Sequence, residues 1–290
     1  MRRQNLPGMK PKKKLRVCGH GPGRRTADLP EKPVELGPFE PDHIYQGDAL
    51  DLLSKIPQGS VDLIITDPPF AIDFQAQRLN YNRTGGHVME GYREIPPEEY
   101  GAFTREWVAL AYRALAPSGS IYLFSGWNRL RDVLSALDDT GFVTLNHLIW
   151  KYQFGVFTRK KFVTSHYHIL YAVKDPKDYT FNKVDHYPED VWVINREYWK
   201  GRKKTPTKLP SALVKKILEY SSNPGDLVLD PFLGSGTVAV VSHETGRHFI
   251  GFEIVPEYFN FAQERIDQAE NPPLTGEPGN RKDQNAEGET

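Results

Sequence analysis

The pattern of apolar and polar positions alternates between strand-like and helix-like segments through most of the chain. Short runs rich in β-branched and aromatic residues predict strands, which read HIYQGD, VDLIIT, SGSIYLFS, NHLIWKY, HYHILYAVK, DLVLD and HFIGFE. Segments with apolar residues three or four positions apart predict helices, which read ALDLLSKI, PPEEYGAFTREWVALAYRAL, NRLRDVLSALDDTG, SALVKKILEYSS, TVAVVSHETG and PEYFNFAQERIDQA. This alternation predicts an α/β fold with a doubly wound sheet that binds ligands at the carboxyl ends of its strands.

Both ends of the chain lack this periodicity. Residues 1–40 are rich in Pro, Gly, Lys and Arg, and we expect a disordered basic arm there. Residues 271–290 have the composition of a second disordered tail, which leaves 41–270 as the folded domain. The run PKKKLRV, Pro11–Val17, fits a nuclear-import or nucleic-acid-binding segment, and it fits a solvated tail equally well.

The charge of the chain is segregated, although the 37 Lys and Arg balance the 37 Asp and Glu. Residues 1–25 contain nine basic residues and no acidic one, and residues 151–208 contain thirteen basic and six acidic residues. Two basic segments on an acidic body predict local contacts with an anionic partner. Charges solvated on surface loops are the alternative interpretation.

Cysteine content and hydropathy exclude several classes of protein. Cys18 is the only cysteine in the sequence, which excludes a disulfide framework and a cysteine-based metal cluster. No apolar run approaches the roughly 18–20 residues that span a bilayer, and the basic N-terminus lacks the apolar segment of a secretory signal. We expect a soluble protein of a reducing compartment, cytoplasmic and nucleoid-associated, with no membrane partner.

A glycine-containing turn joins a predicted strand to a predicted helix in the segment LVLDPFLGSGT, Leu227–Thr237. Gly234 and Gly236 allow a tight backbone and the close approach of a ligand. Helix N-terminal amides and the Ser235 and Thr237 hydroxyls would face a polar or anionic group. No Gly-Lys-Ser/Thr follows, so the turn is not a P-loop, and alone it also fits an ordinary connection.

Two acidic residues at strand ends give this turn a context. Glu253 ends the next predicted strand, 19 positions after Gly234, where a carboxylate accepts hydrogen bonds from the two hydroxyls of a ribose. Asp48 also ends a predicted strand and could accept from an adenine amine, or be only a turn residue. The glycine turn together with Glu253 predicts a nucleoside site.

The segment VDLIITDPPF ends a buried strand on an acid, two prolines and an aromatic residue. The Asp67 carboxylate and the Pro68 carbonyl are two acceptors held close together, and Pro68 and Pro69 form a rigid rim with few donors. A planar base could stack on Phe70 while its exocyclic amine donates both hydrogens to these acceptors. Such bonds draw the nitrogen toward sp3 geometry and free its lone pair for attack. A plain loop is the alternative interpretation.

Together these motifs resemble those of the DNA methyltransferases that methylate exocyclic amines with S-adenosylmethionine (SAM). The motif Asp67-Pro68-Pro69-Phe70 is similar to their catalytic motif, and Asp230 to Thr237 is similar to their cofactor motif DPFxGSGT. The catalytic motif comes first, as in the β subgroup, and the resemblance covers about residues 44–268. It implies a Rossmann-like fold with a mostly parallel seven-stranded sheet, a circularly permuted motif order and a small inserted recognition region.

The resemblance also implies roles for individual residues. It implies that the methionine part of SAM lies against Phe232, Gly234, Ser235 and Gly236, that Glu253 binds the ribose and that Asp48 binds the adenine amine. The cofactor motif adds Asp230 and Thr237. This chain reads PTKLP where the family often reads PTQKP, so the cofactor contact carried to Lys208 rests on a departure from the family pattern. Transfer is direct from sulfonium to nitrogen, it leaves S-adenosylhomocysteine, and it needs no metal. His166 and His168 are interpreted as core or groove residues.

The partner that this resemblance implies is double-stranded DNA whose target base leaves the helix. Residues 75–97 follow the catalytic motif and predict a mobile loop over DNA, with Arg78 and Arg83 near phosphates. Residues 152–206 mix aromatic and basic residues and predict the target-recognition region. Its four phosphate-contacting candidates are Lys160, Lys161, Lys203 and Lys204. A cognate restriction endonuclease and a homodimer are further expectations.

The sequence leaves four functions open, which are methylation of adenine N6, of cytosine N4, or of RNA or a protein amide, and DNA binding without catalysis. Adenine N6 is favoured because an Asp stands first in the catalytic motif, whereas a Ser there favours cytosine N4, and the mechanism is the same for both amines. A methyltransferase for RNA or a protein amide usually places its glycine motif first and lacks the basic insert. A non-catalytic DNA-binding module would have no reason to retain Asp67, both prolines and Glu253.

Overall fold

The computed structural model describes residues 35–69, 95–153, 155, 157–197 and 208–271. Eight strands lie in one sheet, and their bounds are β1 His43–Gln46, β2 Val61–Thr66, β3 Leu115–Ser125, β4 Val143–Lys151, β5 His166–Val173, β6 Val191–Val193, β7 Leu227–Asp230 and β8 His248–Glu253. Within the described ranges six helices accompany them, α1 Ala49–Lys55, α2 Tyr100–Ala114, α3 Leu130–Thr140, α4 Ser211–Ser221, α5 Thr237–Glu244 and α6 Pro256–Glu270. Within these ranges no helix has the length and apolar character that a bilayer crossing requires.

The strand order is β1-β8-β7-β2-β3-β5-β4-β6. The first five strands in this order run parallel, β5 runs antiparallel to both β3 and β4, and β6 pairs with β4 in parallel. The mostly parallel sheet is confirmed, but the prediction of seven strands is wrong by one. The additional strand, β6, has only three residues, of which Trp192 alone is buried, so it is too short to show an alternating pattern.

Apolar layers cover both faces of the sheet, which confirms the doubly wound arrangement. On one face α1, α2 and α3 bury residues such as Leu53, Trp107 and Val133 against the central strands. On the other face α4 and α5 bury residues such as Ile217 and Val238. Most of these apolar side chains are fully buried. Burial of apolar surface stabilises a fold by roughly 25 cal/mol per Å², so these two layers contribute most of its stability.

A smaller apolar cluster lies between α5 and α6, where Ala239 and Val240 pack with Ala262 and Ile266. The close approach of these two helices depends on Gly236, the second glycine of the turn. Gly236 is the N-cap of α5 with a φ of 77°, a left-handed value that glycine adopts without strain. A Cβ atom on Gly236 would lie 2.9 Å from the Cβ of Ala262 in α6. Gly236 is therefore required both by the backbone and by the packing of the two helices.

We expect Gly236→Ala to lower the free energy of unfolding by about 2–4 kcal/mol, because left-handed backbone strain adds to an overlap with Ala262. The matched control is Gly59→Ala, because Gly59 has a similar φ of 73° but no atom of the described part of the chain within 4 Å of the added Cβ. We expect Gly59→Ala to lower the free energy of unfolding by about 1–2 kcal/mol, from backbone strain alone. Denaturant titrations of both variants measure the difference, and equal losses would show that the α5–α6 contact adds nothing.

Candidate active site

The two sequence motifs meet at the carboxyl ends of neighbouring strands. β2 pairs with β7 in parallel, with Leu63 opposite Val228 and Ile64 opposite Leu229. Asp67 follows the end of β2, and Asp230 is the last residue of β7. The sheet therefore brings the Asp-Pro-Pro segment beside the glycine turn, although more than 150 residues separate them in the chain.

The Asp67 carboxyl group is held in a dry environment with one acceptor atom unused. Its Oδ1 atom is buried and has no hydrogen-bond partner among the described residues. Burial raises the pKa of Asp67 to about 7, against the opposing effect of the positive charge of Arg196. Pro68 is buried and Pro69 half-buried, so the backbone around the carboxyl group is firmly placed. Phe70 lies outside the described residues.

Asp230 is a second buried carboxyl group beside the first. Its Oδ1 accepts a hydrogen bond of 3.2 Å from the Phe232 backbone N–H. Burial raises the pKa of Asp230 to about 8, and the charges of Asp67 and Glu253 add to the rise. The Phe232 ring packs edge-on against Trp107 of α2, with centroids 5.4 Å apart, so Phe232 also anchors the turn to this helix.

Glu253 ties the end of β8 to the glycine turn. Its Oε2 accepts from the Gly234 backbone N–H and its Oε1 from the Val255 backbone N–H, each over 2.8 Å. Burial raises the pKa of Glu253 and these hydrogen bonds oppose the rise. Each oxygen keeps a second lone pair, so the carboxylate can still accept from the two hydroxyls of a ribose.

The Ser235 and Thr237 hydroxyls are buried and lie 3.3 Å from each other. Arg265 of α6 approaches both, with Nη1 at 3.4 Å from Ser235 Oγ and 3.2 Å from Thr237 Oγ1. The same guanidinium donates to the Ser235 carbonyl. The Ser235 and Thr237 side chains therefore hold the turn to α6 through Arg265. Since both hydroxyls have these protein contacts, a ligand would bind mainly to the backbone of the turn.

Asp48 and Lys208 occupy positions with structural partners of their own. Asp48 is the exposed N-cap of α1, and its Oδ1 accepts from the backbone N–H groups of Leu50 and Asp51 at 2.9 and 3.3 Å. Lys208, just before α4, forms an ion pair with Glu197. The structure therefore gives both residues a local structural task besides their predicted contact with a cofactor.

The predicted DNA-binding residues are only partly described. Lys160 and Lys161 are exposed in the connection between β4 and β5, which lies at the same edge of the sheet as Asp67. Phe157 and Phe162 beside them are 79% and 98% exposed, which is unusual for large apolar rings. Arg78, Arg83, Lys203 and Lys204 lie outside the described residues, as does nearly all of the predicted loop 75–97.

Sequence reasoning missed an aromatic and basic group next to Asp67. The Arg196 guanidinium lies 3.8 Å from the ring centroid of Tyr152 and 5.5 Å from that of Tyr167. Tyr167, in β5, and Asp67 are close enough that the Asp67 charge raises the pKa of Tyr167, after the larger effect of burial. The mixture of aromatic and basic residues in 152–206 was the available signal, but no spacing singles out these three.

The raised pKa of Asp67 predicts a pH dependence of stability. The folded protein holds a proton on Asp67 up to about pH 7, whereas an ordinary Asp releases it near pH 3.8. Stability from this group is therefore full at low pH and is lost as pH rises from about 4 to 7. We expect Asp67→Asn to be more stable than the wild type at pH 8, by about 1–3 kcal/mol, with the gap closing toward pH 5.

Thermal unfolding of both proteins from pH 5 to pH 8.5 measures this gap. Asp139→Asn is the control, since Asp139 is an exposed residue paired with Arg105 on the helical surface. A constant difference between Asp67→Asn and wild type across this range would contradict the expected loss of stability through Asp67.

The residues at the glycine turn fit a nucleoside cofactor such as SAM. Among the residues that the structure describes, a Cβ atom built on Gly234 would have only the Phe232 carbonyl oxygen nearby, at 3.9 Å, so these residues leave space above the turn. The Glu253 carboxylate borders this space, and the acidic Asp67 and Asp230 lie at the neighbouring strand ends. The free lone pairs of Glu253 and the oxygen atoms of the two neighbouring carboxyl groups suit a ligand that carries hydroxyl groups and other hydrogen-bond donors.

Comparison with known proteins agrees with this geometry. Residues 61–264 match the N6/N4 family described as DNA methylase. The chain is 33% identical over 246 residues to type II methyltransferase M.HpaI of Haemophilus parainfluenzae, which covers 77% of this chain and 73% of that protein. It is 31% identical over 251 residues to type II methyltransferase M2.DpnII of Streptococcus pneumoniae. This match covers 79% of this chain and 90% of that protein.

A solved structure carries the same fold with the cofactor bound. The crystal structure of the M1.HpyAVI–SAM complex is 26% identical, with a TM-score of 0.61, over 78% of this chain and 98% of that one. The predicted family, fold and cofactor are confirmed. The chain therefore belongs to the N6/N4 DNA methylase family and is a DNA methyltransferase that uses SAM as its methyl donor.

Proposed function

We propose that this enzyme methylates the N6 amine of adenine in double-stranded DNA, with Asp67 and the Pro68 carbonyl as the two acceptors for that amine. The observation that carries the proposal is the buried Oδ1 of Asp67, which lies beside the glycine turn and has no partner within the described ranges. A buried acceptor without a partner is unfavourable, by about 1–3 kcal/mol, unless a ligand supplies the missing donor. An exocyclic amine is such a donor.

The chemistry follows from these two acceptors. Both N–H bonds of the amine are engaged, so the nitrogen lone pair turns away from the ring and toward the methyl group of SAM. A bond forms between nitrogen and the methyl carbon as the carbon–sulfur bond breaks, and the electron pair of that bond stays on sulfur. The nitrogen then releases one proton, for which the Asp67 carboxylate is the nearest base, and S-adenosylhomocysteine remains.

The cofactor roles extend the same proposal. Glu253 holds the ribose hydroxyls with the lone pairs that Gly234 and Val255 leave free. The backbone at Gly234 to Gly236 and the Phe232 side chain border the methionine part. Asp48 binds the adenine amine of the cofactor through its Oδ2, because its Oδ1 caps α1. Asp230 supports the cofactor side of the turn through the hydrogen bond that its Oδ1 accepts from the Phe232 backbone N–H.

DNA binding is assigned to the region predicted for target recognition, residues 152–206. The exposed Lys160 and Lys161 contact phosphates, and the exposed Phe157 and Phe162 beside them contact sugars or bases. The two curated relatives are type II methyltransferases, which supports a cognate restriction endonuclease as a partner. Dimerisation of this chain is a further proposal that gel filtration tests.

Cytosine N4 is the second candidate, because its amine is conjugated to the ring in the same way. Expression in a host without DNA methylation, followed by sequencing that distinguishes N6-methyladenine from N4-methylcytosine, separates the two. N6-methyladenine at one recurring site is the expected result. N4-methylcytosine would move the target to cytosine, and unmethylated DNA from a protein that binds SAM when purified would overturn the assignment to DNA amines.

A further inference from the structure

A short segment after β6 crosses the active-site edge and is fixed at three points. We name residues 194–197 the strap. Its first residue, Ile194, accepts from the Trp150 indole N–H at 2.8 Å and donates its backbone N–H to the Lys151 carbonyl at 3.0 Å. Its last residue, Glu197, accepts from the backbone N–H of Ser211 at the start of α4, over 2.8 Å. The strap therefore joins β4 to α4.

Arg196 is the third fixed residue of the strap. Its backbone N–H donates to Gln153 Oε1 at 2.8 Å, so the main chain is held at the end of β4. Its guanidinium lies over Tyr152, at 3.8 Å from the ring centroid, with Tyr167 at 5.5 Å. Its Nε is buried and has no hydrogen-bond partner among the described residues. The guanidinium is thus placed by its neighbours, with its Nε side shielded from water while the residue as a whole is half-buried.

The other groups that face Asp67 from the surrounding described elements are neutral or acidic. Burial raises the pKa of Tyr100 in α2 and of Tyr167 in β5 to about 12, and the negative charge of Asp67 adds to both rises. Asp230 of β7 is an acid that repels the Asp67 charge. Arg196 is the positive charge that acts on Asp67 from the part of the chain that the structure describes.

We propose that Arg196 is a positioning residue for methyl transfer, whose guanidinium, held on Tyr152, favours the ionised form of the Asp67 carboxyl group before DNA binds. The proposal rests on the assigned role of Asp67 as acceptor for the target amine. A protonated Asp67 has lost part of its capacity to accept and cannot take up the released proton. An arginine that stacks on an aromatic face keeps its positive charge and makes no ion pair there. The Tyr152 ring can therefore fix the position of the Arg196 cation relative to Asp67.

The test is the pH profile of kcat/KM for DNA at saturating SAM, which reports groups of the enzyme before DNA binds. We expect Arg196→Gln to move the acidic limb of the profile about one unit toward higher pH, since a lost opposite charge nearby raises the pKa of an acid by about 1–3 units. The loss of activity should approach tenfold on the acidic limb, at about pH 6, and should be small on the alkaline side, at about pH 9.

Two further variants separate a charge effect from a structural one. Arg196→Lys retains the charge and should return most of the shift, whereas a role only in packing would leave the Gln and Lys variants with the wild-type profile. Arg105→Gln, on the helical surface where Arg105 pairs with Asp139, should leave the profile unchanged. Thermal unfolding confirms that each variant is folded at the pH values used.

The outcome distinguishes this proposal from the assigned role of Asp67. If Asp67→Ala is inactive and Arg196→Gln keeps the wild-type acidic limb, then Arg196 does not act on the charge of Asp67 and the proposal fails alone. If Asp67→Ala is active, the acceptor role itself fails. A shifted limb in Arg196→Gln, restored in Arg196→Lys, supports both.

Discussion

Asp67→Ala is expected to lower the rate of methyl transfer by about 1,000-fold or more while SAM binds within a few-fold of its wild-type affinity. The variant removes one of the two acceptors proposed to hold the target amine, and the loss of one fixed hydrogen-bonding group costs about 100- to 1,000-fold in other enzymes. The proton acceptor is lost with it. The contacts proposed for the cofactor at Glu253 and the glycine turn involve other residues, and the hydrogen bonds that hold Glu253 to this turn do not include Asp67.

Single-turnover transfer of a radiolabelled methyl group measures the rate, and calorimetry with SAM measures the affinity. Asp51→Ala is the matched control, an exposed Asp of α1 paired with Lys55, and it should behave as wild type. Wild-type turnover in Asp67→Ala would refute the assignment. Equal losses of rate and SAM affinity would show that Asp67 belongs to the cofactor site.

Glu253→Ala is expected to weaken SAM binding by about 100-fold or more. The variant removes the proposed acceptor for the ribose hydroxyls, and it also leaves the Gly234 and Val255 backbone N–H groups without their partner. Each unsatisfied buried donor costs about 1–3 kcal/mol, so the glycine turn loses its fixed conformation as well.

Calorimetric titration with SAM and with adenosine measures this loss. Glu257→Ala, four residues further along at the exposed start of α6, is the matched control. Glu253→Gln keeps one carbonyl acceptor and should lose less affinity than the Ala variant. If SAM binds Glu253→Ala as tightly as wild type, the ribose contact is made by another residue.

The elements, and the edge of the sheet at which the candidate site residues lie, could be predicted from the sequence because they depend on local patterns. Buried strands end at Thr66, Asp230 and Glu253, and each end is marked by a change from apolar to polar residues. Parallel strands place such ends at one edge, so the sequence pattern alone assigns Asp67 and Glu253 to the same site. The segment NRLRDVLSALDDTG was predicted as a helix, and its final residue Gly141, with a φ of 91°, is the left-handed C-cap that such a local pattern favours.

The remaining features depend on contacts between distant segments, for which the sequence carries no local signal. Arg265 supports the glycine turn from 30 residues away, and Arg196 reaches Tyr152 from a segment without a helical or strand period. The strand β6 exists because Trp192 packs into the core and β4 offers a free edge. The ion pair of Lys208 with Glu197 likewise joins two segments that no motif links.

The pairing of β2 with β7 has a consequence for how the protein is made on the ribosome. The catalytic strand is synthesised early, but its neighbour on one side is Leu227–Asp230, in the last quarter of the chain. Until that strand emerges, β2 has an unpaired edge in the middle of the future sheet, and long-range parallel pairing forms slowly. The nascent chain therefore depends on its last helices and strands to close the active site, and a truncated product would expose an edge that aggregates.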